Sequence, residues 1–181
     1  MRNGGEMRKR KIEGYLKKEQ LLKNDEHKKL EKPFLAKARK NFTVANLLFR
    51  ISEQEELKKA LTLAYGFEMH DWVIIISYYS MYTSALAALA KLGFKSKSHA
   101  ATIAALEYYY VQNGNILEAE HIQKLAQAYE VSKELIAKLI EAKAKRETAQ
   151  YEATPSIARE NAKTALEDTE DFITKIEEIL S

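Results

Sequence analysis

From Trp72 to Ala90 the chain has no charged residue; the run closes on Lys91, Leu92 and Gly93, and a basic segment then leads to His99. An uncharged stretch this long approaches the roughly 20 residues of a membrane-spanning helix. Its side chains argue for a different solvent. Ser77, Tyr78, Tyr79, Ser80, Tyr82, Thr83 and Ser84 carry hydroxyls that hydrocarbon leaves unsatisfied and a protein interior can pair. The chain as a whole is polar, with a mean hydropathy of -0.42. The run is therefore read as the buried central helix of a soluble fold, with no membrane partner. Asp71 suits a helix start and Gly93 a left-handed C-terminal cap, and the helix they bracket spans about 33 Å.

With 2 prolines and 6 glycines in 181 residues, few positions interrupt helices, and the expected class is all-α. Short connections favour an up-and-down helical bundle of four to five main helices. Cysteine is absent, which excludes a disulfide framework and thiolate chemistry. The N-terminal sequence lacks the apolar segment of a signal peptide, so a cytoplasmic setting is expected. The net charge of +3 hides an asymmetry, because residues 1–32 hold 11 Lys/Arg against 6 Asp/Glu. That segment is read as a basic N-terminal helical arm, and residues 33–181 as the bundle.

Within the arm, Ile12, Tyr15, Leu16 and Leu22 predict one charged helix over residues 8–31. Pro33 starts or ends a helix, and Phe34 to Ile51 presents a broad apolar face. Ser52 and Glu55 have the spacing of a capping box for a helix running to Tyr65 and stopped by Gly66. Ser98 is placed to cap a helix through Leu106 and Tyr108 to Tyr110, closed by Asn113 and Gly114. Further helices are predicted from Leu117 to Tyr129, from Ser132 to about Ala153, and from Pro155 through Phe172, Ile173, Ile176, Ile179 and Leu180.

The glycines never fall into a phosphate-loop or dinucleotide-binding spacing, and no nucleophile elbow is present. Glu118 and His121 form a single Glu-x-x-His, whereas a di-iron bundle needs two such pairs; no metal and no cofactor is expected. His99 stands out, since it sits in a first helical turn after Lys95, Lys97 and Ser98, among donors suited to a phosphate. Neighbouring positive charge should lower its pKa and keep it neutral near pH 7. The competing reading is that Ser98 simply caps the helix while His99 packs on the central helix. Arg146 can reach a phosphate bidentately, or pair with Glu147 or Glu152. The tyrosines can stack on bases, but Tyr78 and Tyr82 share a face with apolar neighbours, as core residues do.

The segment SYYSMYTSALAALAKLGFKSKSHAATIAAL, followed by RETAQY and a last helix ending DFITKIEEIL, resembles HEPN domains, in particular small stand-alone prokaryotic ones. The resemblance covers about Phe34 to Ser181. It implies an all-α bundle that forms homodimers and acts as a metal-independent endoribonuclease or as the toxin partner of a nucleotidyltransferase. Ribonuclease members pair an Arg with a His a few residues on; Arg146 matches the Arg, and Tyr151 stands at the His position. A tyrosine with a pKa near 10 is a poor base, leaving His99 as the candidate for proton transfer beside Arg146. Three functions follow: a protein binding nucleotide or RNA through Lys95, Lys97, Ser98, His99, Arg146 and Tyr151, an active ribonuclease toxin, or a purely structural dimerisation module.

Overall fold

The computed structural model describes residues 3–112, 117–130 and 155–181. In chain order it comprises α1 (Asn3–Lys17), β1 (Leu21–Lys23), a 3-10 turn (Asp25–Leu30), α2 (Glu31–Glu53), α3 (Glu55–Ala60), α4 (His70–Lys91), β2 (Phe94–Ser96) and α5 (His99–Leu106). A π-helical turn (Glu107–Gln112) extends α5, residues 119–130 form α6, and α7 spans Pro155–Leu180. The fold is all-α apart from the two short strands.

The uncharged run is α4, the axis of the structure. It packs chiefly on α2 and α7. Of its most apolar 18-residue window, 83% is buried inside the fold, so a helix long and apolar enough to cross a membrane here meets protein instead. Three of its hydroxyls find backbone acceptors: Ser80 Oγ donates to the Ala38 carbonyl at 2.5 Å, Ser84 Oγ to that of Met81 at 2.7 Å, and Thr83 Oγ1 to that of Tyr79 at 2.5 Å, whereas the buried Ser77 Oγ has no partner among the described residues. The buried Tyr110 donates to the Ala88 carbonyl at 2.6 Å. Each bond offsets the desolvation that would otherwise oppose burying a hydroxyl. Gly93 ends the helix at φ +78°, and a Cβ there would meet the Asn24 carbonyl at 3.2 Å, so both conformation and space ask for glycine.

Two apolar clusters form the core. The larger gathers Tyr78, Met81, Leu89, Leu106, Leu125, Phe172 and Ile176; the smaller joins Ala45, Val73, Ile74, Ala162 and Leu166. Phe172, Ile173, Ile176 and Ile179 of α7, expected to pack, are all buried. Pro33 falls in the first turn of α2, where its missing N–H costs nothing.

The predicted single helix over residues 8–31 is not what forms. The chain leaves α1 at Lys17, turns through Glu19 at φ +53°, and enters β1. There Leu21 is fully buried, and β1 pairs antiparallel with β2, Leu22 opposite Lys95. Asn24 then accepts from the Glu26 N–H and starts a 3-10 turn. Tertiary burial of Leu21 and an Asx cap outweigh a weak helical stripe. Ile12 of α1 also belongs to the core, so the basic segment is anchored to the bundle at Ile12 and Leu21.

The capping box is a second correction. Ser52 lies inside α2, donates to the Leu48 carbonyl at 2.9 Å and accepts from the Met69 N–H at 2.9 Å, clamping the approach to α4. The cap position of α3 is Gln54, without a side-chain bond, and α3 ends at Ala60, short of Tyr65. The predicted helix from Ser132 to about Ala153 lies outside the described residues.

Candidate functional site

β2 leads into α5 through a turn whose backbone is held from both sides. The Lys97 N–H donates to the Gln20 carbonyl at 2.8 Å, and Ser98 adopts extended geometry, accepting the Ala101 N–H at 3.1 Å as the expected N-cap. Its side chain is committed to the helix. Lys95 and Lys97 alternate outward from strand and turn and are exposed.

His99, the first residue of α5, turns toward α4. Its ring stacks on Tyr82 with centroids 4.2 Å apart and 28° between planes, and on Tyr129 of α6 at 4.8 Å and 15°. Tyr78 lies 5.6 Å away by centroid, and its hydroxyl is hydrogen-bonded to His99 Nδ1. Tyr79, next to Tyr78 at 5.3 Å, is 41% exposed. An imidazole is thus set among tyrosines from two helices, with two exposed ammonium groups immediately upstream and no carboxylate among its described partners.

The pKa of His99 is lowered, as expected, but its cause is burial and not neighbouring cations. Burial likewise raises Tyr78 and Tyr82, so both remain phenols at neutral pH. The packing reading of His99 holds, with Ser98 capping α5 and the ring lying against α4, and the ring stays partly accessible there. The preference for packing tyrosines also holds for Tyr78 and Tyr110, while Tyr79 opens to solvent. Tyr129 is the partner that sequence spacing did not reveal.

Arg146 and Tyr151 lie outside the described residues, so the structure brings together Lys95, Lys97, Ser98 and His99 only. His121, half of the Glu-x-x-His pair, is buried with Nε2 3.5 Å from Asp171. Lys124 bridges to Asp168 at 3.1 Å and to Asp171 at 3.4 Å, tying α6 to α7. Among the described residues no group of three metal-ligating side chains converges.

A second polar cluster gave no local sequence signal. His70, the first residue of α4 and 4% exposed, has Nε2 3.2 Å from Glu53 and Nδ1 3.5 Å from Glu68. Arg159 of α7 donates to both Glu53 oxygens, Nη2 to Oε2 at 2.6 Å and Nε to Oε1 at 2.9 Å. Arg159, foremost, and then His70 hold the Glu53 carboxyl below the usual range. The cluster joins the C-terminus of α2, the start of α4 and α7, and its histidine is closed to any ligand.

The HEPN domain family model matches residues 45–179, well over half of the chain, and the chain belongs to the HEPN domain family. A search of curated proteins found no match.

Proposed function

We propose that this HEPN domain protein binds the phosphate and base of a nucleotide or an RNA strand at the Lys95–His99 turn. The observation that supports the reading above all is the seat of His99, stacked between Tyr82 and Tyr129 just after the exposed Lys95 and Lys97. Cations draw a phosphate, a ring nitrogen gives a directed hydrogen bond, and the exposed Tyr79 offers a π-face to a base. Arg146 and Tyr151 belong to the same proposed site on the strength of the family resemblance. On α4 the half-exposed Trp72 and Tyr79, with Ile76 between them, form a stripe at helical spacing, and a second copy of the chain is its proposed occupant. A nucleotidyltransferase is the proposed heterologous partner.

The ribonuclease reading asks more of the same residues, namely that Arg146 hold the scissile phosphate while His99 moves a proton. Incubating purified protein with a mixed RNA pool in EDTA, beside Arg146→Ala and His99→Ala variants of confirmed fold, separates the two. Binding of the RNA without cleavage, weakened in both variants, is the expected result. Cleavage abolished in the variants establishes the nuclease, and neither binding nor cleavage leaves the dimerisation module. Sedimentation of the wild type and Trp72→Asp tests the second copy: a dimer broken by the substitution supports it, and a monomeric wild type removes it.

A further inference from the structure

The contact between Tyr78 and His99 carries a consequence for how a ligand is recognised. Tyr78 is 2% exposed, and among the described residues its hydroxyl bonds His99 Nδ1 and nothing else. If the hydroxyl accepted from an Nδ1–H, its own buried proton would have no acceptor, an arrangement native interiors avoid. With the hydroxyl donating, Nδ1 is an acceptor and the ring proton resides on Nε2. No hydrogen bond among the described residues engages Nε2, and it is not among the fully buried, unpartnered ring nitrogens, which are Nδ1 of His27, His70 and His121.

We propose that Tyr78 is a positioning residue that locks His99 in the neutral Nε2–H tautomer, making the imidazole a hydrogen-bond donor to a phosphate oxygen. The proposal deepens the binding reading above and rests on it for the ligand. It also assigns the resting His99 a definite limit: in this tautomer Nε2 has no lone pair with which to take a proton from a ribose hydroxyl. Burial supports the assignment from both sides, holding the phenol protonated and the imidazole neutral. The stacking of His99 on Tyr82 and Tyr129 restricts ring rotation, so the donor direction is set before a ligand arrives.

The test is side-chain ¹⁵N NMR of the full-length, histidine-labelled protein at pH 7, with His99 assigned through His99→Gln. A protonated-type Nε2 with an unprotonated-type Nδ1 in the free protein is expected, and an Nδ1–H or doubly protonated ring overturns the lock. Tyr78→Phe keeps the ring stack and removes the hydroxyl. It should give mixed tautomers and weaken binding of AMP and of a short oligoribonucleotide about fivefold, with the melting profile confirming the fold. An unchanged tautomer in Tyr78→Phe overturns the role of Tyr78. Failure of AMP and the oligoribonucleotide alike to bind the wild type overturns the phosphate donor together with the binding reading, whereas the tautomer is read without ligand. AMP alone binding identifies a mononucleotide as the phosphate source; the oligoribonucleotide alone, an RNA backbone.

Discussion

Two histidines begin helices in this fold, His70 in α4 and His99 in α5, and they are treated in opposite ways. His70 is sealed between Glu53 and Glu68, with Arg159 completing the charge chain from α7. His99 is partly open and surrounded by tyrosines, with no carboxylate among its described partners. Buried against two carboxylates, the first can only hold elements together. Neutral, aromatic-lined and partly open, the second has a ring nitrogen without a hydrogen bond among the described residues, the atom the proposed ligand would engage. The lesson is that a first-turn histidine is read from what surrounds it, since its place in the helix is the same in both cases.

The sharpest way to break this contrast is to remove Glu53. Glu53→Ala leaves the buried His70 ring without its nearest acceptor and should cost about 2 kcal/mol in urea unfolding, with oligoribonucleotide affinity unchanged in the folded protein. Most of that loss belongs to His70, because the exposed Arg159 regains water. A loss of affinity at full stability would invert the assignment. His99→Ala is the reciprocal change, expected to weaken RNA or AMP binding roughly tenfold by titration and, because the buried Tyr78 hydroxyl loses its acceptor, to cost about 1–2 kcal/mol in urea unfolding. Ser98→Ala removes the cap that starts α5 and should cost about 1 kcal/mol by the same denaturation, a smaller effect than breaking the sealed cluster.

Acidification separates the two regions by pH. Burial holds His99 below its ordinary 6.5, so the unfolded chain takes up that proton first and stability falls as the pH drops below about 6.5. Its ring neighbours Tyr78 and Tyr82, raised by burial, stay neutral over this range. Glu53, held below its ordinary 4.5 by Arg159 first and then by His70, contributes fully above 4.5 and loses its contribution as the pH falls through its lowered value. Melting curves from pH 8 to pH 3 should therefore show an upper decline that His99→Gln diminishes and a lower one that Glu53→Gln diminishes. Both changes acting in one window would merge the two regions.

Much of this was legible along the chain where the signal was local. α4 announced itself through an uncharged run bounded by Asp71 and Gly93, and the Ser98 cap through its position before an apolar octet. What stayed hidden depends on distance in sequence. His70 meets Glu53 17 residues away, and Arg159 reaches Glu53 across 106. Tyr129 joins His99 from another helix, and the β1–β2 pair is too short to show alternation. Ser52 misled because its hydroxyl, spaced like a cap, is used by the distant Met69 N–H. Half of the candidate site, Lys95 to His99, was readable as a basic turn entering a helix; its aromatic walls needed the fold.

The pairing of β1 with β2 bears on where this protein can be cut. The family match begins at residue 45, yet the strand bonded to Lys95 and the carbonyl bonded to the Lys97 N–H come from residues 20–23. Trimming the chain to the family boundary would remove the edge against which the His99 turn is laid, leaving Phe94 and Lys95 with a raw backbone facing water. A truncated protein that no longer bound a ligand would then report a lost hem, and say nothing about the seam of tyrosines beneath it.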